Sequence, residues 1–144
     1  PDTWDFGYGK PFTDVEINHI IDSCKEDYIA GLSLLGGEPM EYVNQQGLLP
    51  LARKFKETYP DKTIWCYTGY TFETDLLDRM CNEWEYTKEL LSYIDVLVDG
   101  EFIDEQKDLS LRFKGSRNQR IIDVPKSLKT DTTVLWDESG KYFK

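Results

Sequence analysis

A chain of 144 residues, 40% hydrophobic and 14% aromatic, is long enough to bury a single-domain core and too apolar to be disordered. Acidic residues outnumber basic ones 27 to 17, for a net charge of −10, which argues against the phosphate neutralisation on which non-specific nucleic-acid binding rests. No apolar run approaches the roughly 20 residues of a bilayer span, and no signal-peptide pattern opens the sequence, so neither a membrane partner nor a secretory route is expected.

The first predicted element is a helix over 14–27. Thr13 and Glu16 have capping-box spacing, and Ile17, Ile20, Ile21 and Cys24 recur on one face. Residues 30–35 form an apolar run without polar alternation, the pattern of a parallel strand covered on both faces. Leu48, Leu51, Ala52, Phe55 and Tyr59 mark a second helix, stopped by Pro60. Residues 63–67 read as a strand with Thr68-Gly69-Tyr70 as its exit loop. Leu76, Leu77, Met80 and Trp84 then indicate a third helix, followed by a shorter one over 88–93. Residues 94–98 make a third strand, closed by Asp99-Gly100. Beyond it, 104–110 is a polar loop or single turn, 115–120 has turn composition, and 121–124 is a short strand. Residues 134–136 and 141–143 have the composition of a terminal hairpin.

Alternating strands and helices predict a parallel sheet with right-handed crossovers, in one domain spanning residues 1–144. The consequence is geometric: Gly36-Gly37-Glu38-Pro39, Thr68-Gly69-Tyr70 and Asp99-Gly100 all fall at carboxyl ends of parallel strands, on the rim where α/β proteins hold ligands. Glycines let a backbone approach a ligand closely, and Glu38 adds a negative charge. Each position has a plainer reading: an exposed glutamate after a tight turn, a capping threonine, a turn glycine, a solvated aspartate.

Other chemistries have little support. Cys24 lies on a helix face and Cys66 inside a strand, so both read as buried hydrophobes in a reducing, cytoplasmic compartment, and with Cys81 they have no metal-site spacing. His19 is the one histidine and sits on the polar side of its helix, which gives Ser–His–Asp and Cys–His nucleophile schemes little support. Lys107, Arg112, Lys114, Arg117 and Arg120 gather late in the chain, as a solvated face or as a local anion- or partner-facing patch.

Five segments taken together resemble one family: 3–5 with 9–13, then 34–39, 64–70, 95–102 and 115–120. In this order and spacing, over residues 1–124, the chain looks like the activating proteins of anaerobic (class III) ribonucleoside-triphosphate reductases, which are radical S-adenosylmethionine enzymes. The resemblance implies a partial (β/α) barrel, a 4Fe–4S cluster held by a CxxxCxxC loop, and S-adenosylmethionine chelating the cluster. It also implies an electron donor and a radical that removes hydrogen from a glycine of the reductase. It assigns Gly36, Gly37, Glu38 and Pro39 to the methionine end of the cofactor, Glu38 facing the ammonium. Thr68, Gly69 and Asp99 join them by position on the rim.

One departure stands out, because no CxxxCxxC occurs in these 144 residues. In the family that motif lies just upstream of the segment matching Pro1-Asp2-Thr3-Trp4. The expectation is therefore a piece of a longer protein that lacks the first barrel strand and the cluster loop, and is catalytically inert by itself. Residues 125–144 match nothing in the family and stay an unassigned tail or hairpin. Two other functions remain open: activation of another glycyl-radical enzyme such as pyruvate formate-lyase, and a cluster-less module binding S-adenosylmethionine or the reductase.

Overall fold

The computed structural model describes residues 3–8, 14–27, 29–36, 38–101 and 118–136, with backbone alone at 3–8, 14, 35 and 36. In chain order the elements are β1 (Thr3–Tyr8), α1 (Asp14–Ser23), β2 (Gly31–Gly36), α2 (Tyr42–Thr58), β3 (Thr63–Tyr67) and a π-helix (Phe72–Met80). They continue with α3 (Cys81–Glu83), α4 (Thr87–Tyr93), β4 (Val96–Asp99), β5 (Arg120–Asp123) and α5 (Val124–Thr130). The five strands lie in the order β1-β2-β3-β4-β5. The first four are mutually parallel, and β5 runs antiparallel to β4.

Strands laid down one after another in a single direction, each reached by a crossover of the same hand, put every crossover helix on one face of the sheet. The core is built accordingly. Leu32, Leu34, Ile64, Cys66, Leu97 and Ile122 from the strands pack with Ile17, Ile20, Leu48, Phe55, Phe72, Leu76 and Leu90 from the helices. Residues one step out of phase point to the other face. Trp65 is in register with Val96, and Tyr67 with Val98. There Trp65 stacks on Tyr67 and meets Trp136 edge-on, 5.1 Å between ring centroids.

The sheet is mostly parallel, as expected, with differences at its margins. Residues 3–8 form an edge strand that the sequence reading does not assign, although Trp4, Phe6 and Tyr8 at alternating places favour a strand. β5 is antiparallel because the chain re-enters from the rim where β4 ends, with Asp99 opposite Arg120. Helix α1 stops at Ser23, four residues short of the predicted end, while Cys24 still reaches the core. Helix α2 begins at Tyr42, six residues before Leu48, although Gly47 and Pro50 are both poor helix residues. Tertiary burial of Gln45, Leu48 and Leu49 overrides those local preferences. Trp65, read from the apolar run as core, is half-buried, whereas Leu34 and Val96 are fully buried.

The tail holds a helix that the sequence reading did not assign. Asp123 caps α5 by accepting the Lys126 N–H at 3.1 Å, and Pro125 stands in its first turn. Leu135 bridges antiparallel to Ile122, which joins 134–136 to the sheet. Thr13 of the capping box, the 104–110 loop, most of the 115–120 turn, the basic residues at 107, 112, 114 and 117, and 141–143 lie outside the described residues. Among the described residues, no helix is long and apolar enough to cross a membrane.

Candidate functional site

The carboxyl ends of β2, β3 and β4 meet on one rim, and the Glu38 side chain ties the first two together. Its Oε2 accepts the Thr68 hydroxyl at 2.6 Å and the Met40 N–H at 3.0 Å, and its Oε1 accepts the Gly69 N–H at 2.7 Å. Local structure prepares this. Pro39 is buried and turns the chain out of β2, and the Glu38 carbonyl accepts both the Glu41 N–H and the Asn44 side-chain amide as α2 begins. From the other strand, the Thr68 N–H bonds to the Val98 carbonyl, and the Thr68 hydroxyl also accepts the Tyr70 N–H. At Gly69 a Cβ would stand 3.3 Å from Glu38 Oε1, a tight contact to which the carboxylate would have to yield by a few tenths of an ångström.

The predicted rim residues are thus partly assembled. Glu38, Thr68 and Gly69 are in direct hydrogen-bond contact. Gly36 is the last residue of β2, in register with Tyr8, and Gly37 lies outside the described residues. Asp99 bonds elsewhere. Almost fully buried, it accepts the Phe72 N–H at 2.8 Å and both arms of the Arg120 fork, at 3.0 and 2.5 Å. Arg120, which the sequence placed in a solvated or anion-facing patch, is committed to this ion pair and to Glu73.

Three residues on or beside the rim have contacts that the sequence does not announce, although Tyr70 is already part of the predicted exit loop. Tyr70 donates its hydroxyl to the Glu41 carboxylate, which holds the phenol up at about 12. Glu73 takes two bonds from Arg120, which hold its carboxyl down at about 2. Glu41 stands two residues past the Gly36–Pro39 motif, so proximity was the available signal. Glu73 had none, because its partner is 47 residues away in sequence.

Comparison with known proteins decides the family. Residues 1–122 match the family described as a 4Fe-4S single cluster domain. The anaerobic ribonucleoside-triphosphate reductase-activating proteins of Haemophilus influenzae and Vibrio cholerae are each 43% identical over 121 residues, covering 83% of this chain and 73% of theirs. The protein of the same name from Enterobacteria phage T4 is 33% identical over 121 residues, 83% of this chain and 69% of its own. No solved structure matches the chain significantly.

This chain belongs to the anaerobic ribonucleoside-triphosphate reductase-activating protein family.

A family defined by a 4Fe–4S cluster raises the question of what could hold one here. The three cysteines do not. Cys24 follows α1 in the core, Cys66 is in the middle of β3, and Cys81 is half-buried where the π-helix passes into α3. Burial pushes all three thiols up, Cys66 furthest, where the Glu38 charge adds a smaller push in the same direction, and this is the reverse of what a thiolate ligand needs. Among the described residues, no group of three or more His, Cys, Asp or Glu side chains could hold a metal ion.

An aminated, cationic ligand is different. A carboxylate offers about four lone-pair directions. Oε2 of Glu38 uses two, while Oε1 serves Gly69 alone among the described residues. Glu38 is also only half-buried. That leaves Oε1 with capacity for a further donor, a role chemically open to an ammonium.

Proposed function

We propose that this protein activates an anaerobic ribonucleoside-triphosphate reductase, and that the rim built on Glu38 holds the methionine end of S-adenosylmethionine. The observation that carries the cofactor assignment is the Glu38 bridge, a carboxylate locked by Thr68, Gly69 and Met40 with one oxygen to spare. Membership of the activating-protein family supports the partner.

In this reading Gly36 and Gly37 bring backbone close to the cofactor, Pro39 sets the direction of the loop, and Glu38 accepts the ammonium in a charge-assisted hydrogen bond. Thr68 and Gly69 hold that carboxylate still, and Asp99 supports the same rim from β4. When bound, the cofactor supplies a sulfonium whose carbon–sulfur bond is open to reductive cleavage. The residues here bind and orient it. The fold is a partial barrel of the radical S-adenosylmethionine type, residues 1–144 forming one domain. Parallel order with all crossover helices on one face supports that, since such a sheet curls toward a barrel. The partners are the reductase and an electron donor in the cytoplasm, with no role for nucleic acid or a membrane.

The test is cofactor binding in the protein carrying its cluster. Glu38→Ala should weaken S-adenosylmethionine binding in calorimetry by roughly 1.5–3 kcal/mol, the scale of a hydrogen bond to a charged group. An affinity equal to that of the unsubstituted protein would overturn the assignment.

The scatter of Cys24, Cys66 and Cys81 favours one second reading, a module that binds the cofactor or the reductase without a cluster. Stoichiometric iron and sulfide in the protein isolated from anaerobic cells would exclude it.

A further inference from the structure

Arg120 entered the sequence reading as one member of a basic stretch, and cofactor binding as described leaves it without a role. Its surroundings are unusual. It opens β5 directly opposite Asp99 and grips two carboxylates at once. Nε and Nη2 meet Asp99 at 3.0 and 2.5 Å, and Nη1 and Nη2 meet Glu73 at 2.9 and 2.6 Å. Asp99 is 1% exposed, so loss of this partner would leave a buried carboxylate without its counter-ion.

Both carboxylates lead to the same segment. Asp99 Oδ2 also accepts the N–H of Phe72, the first residue of the π-helix, and Glu73 is the second. Two residues earlier, the Tyr70 carbonyl accepts the Gly100 N–H just past β4. One step before that, Gly69 donates to Glu38. Residues 68–73 are therefore fastened at one end to Glu38 and at the other to β4 and β5 through Arg120. The segment runs into a π-helix, where the Leu76 N–H reaches back five residues to the Thr71 carbonyl. That winding is rare, and it persists where surrounding contacts enforce it.

We propose that Arg120 is a positioning residue for the cofactor rim: by clamping Asp99 and Glu73 together it fixes residues 68–73, and through the Gly69 N–H it fixes the Glu38 carboxylate. The proposal rests on the cofactor reading above for its functional consequence, while the clamp itself is a property of the free protein. The fork is essential, because a lysine carries the charge but cannot span two carboxylates bidentately.

The experiment compares Arg120→Lys and the milder Glu73→Gln with the unsubstituted protein, with Glu38→Ala as reference. Amide hydrogen exchange is followed without ligand, and S-adenosylmethionine affinity by calorimetry. In Arg120→Lys the Gly69 and Phe72 amides should exchange faster while those around Phe55 in α2 keep their protection. Affinity should fall roughly tenfold, the scale of a displaced charge-assisted contact. Glu73→Gln, which leaves the Asp99 pair intact, should move both readouts the same way by less. Unchanged exchange at Gly69 and Phe72 in both variants would overturn the proposal, whatever happens to the melting temperature. So would faster exchange with unchanged affinity in Arg120→Lys where Glu38→Ala does weaken binding. Faster exchange at those amides with affinity unchanged even in Glu38→Ala would uphold the clamp and overturn the cofactor reading instead.

Discussion

At the scale of single residues, position in the sheet decides what each side chain can do. Gly31 is the sharpest case: a Cβ there would sit 2.1 Å from the Thr63 backbone carbonyl oxygen on the neighbouring strand. Backbone cannot step aside as a flexible side chain can, so Gly31→Ala should cost at least about 2–3 kcal/mol of stability in urea denaturation. An effect under about 0.5 kcal/mol, the ordinary surface range, would mean that β2 and β3 do not approach as closely as described. The cysteines give a second residue-level prediction. Cys24 and Cys66 are fully buried and Cys81 is half-buried. A thiol-specific reagent added to the native protein should therefore label Cys81 first, and Cys66 only on unfolding. Rapid native labelling of Cys66 would contradict its place inside β3.

At the scale of elements, the helices are joined by polar contacts that hydrophobic periodicity does not reveal. Gln45 of α2 is fully buried. Its amide N–H donates to the Met40 carbonyl at 2.7 Å, and its amide oxygen accepts the Thr87 hydroxyl of α4 at 2.7 Å. Met40 is in the loop that leaves Glu38, so this pair braces the rim from below. Thr87→Val keeps the shape and removes the donor, leaving a buried oxygen unsatisfied. It should destabilise the protein by about 1–3 kcal/mol in denaturant unfolding; a neutral result would show that water replaces the threonine. Truncating a core strand acts through volume instead. Leu34→Ala in β2 should cost roughly 2–5 kcal/mol, because the packed sheet collapses only partly around the space left behind.

At the scale of the whole molecule, electrostatics couples the rim to folding. Arg120 keeps the Glu73 carboxyl at about 2, against about 4.3 for an unperturbed glutamate. A depressed folded-state value adds stability that is fully present above the unfolded value and disappears as the pH falls through the folded one. The stability difference between the protein and Glu73→Gln should therefore be full at pH 7, shrink below about pH 4, and be small at pH 2. The size of the difference is limited by water, because the Glu73 side chain stays 40% exposed. A difference independent of pH would detach Glu73 from Arg120. The cysteine geometry also has a whole-molecule consequence. Reconstituting these 144 residues anaerobically with iron and sulfide, then reducing them with dithionite, should give no signal of a reduced 4Fe–4S cluster in electron paramagnetic resonance, because Cys24, Cys66 and Cys81 cannot converge without unfolding the sheet. A stoichiometric cluster would contradict that.

By itself the sequence determined the elements whose signals are local. Apolar runs ending in glycine marked β2, β3 and β4 together with their exits, and helical spacing of Leu and Ile marked the central helices, because burial imposes a period that the chain must carry. The shared rim followed from parallel order alone, and with it the grouping of Glu38, Thr68 and Gly69. Tertiary structure decided what depends on contacts distant in sequence. The antiparallel entry of β5, the burial of Gln45 in α2 despite Gly47 and Pro50, the half-buried Trp65 and the commitment of Arg120 to Asp99 and Glu73 are examples. No period encodes these. An ion pair spanning 47 residues leaves no mark on its neighbours in the chain, and its energy exists only once the strands have brought the charges together.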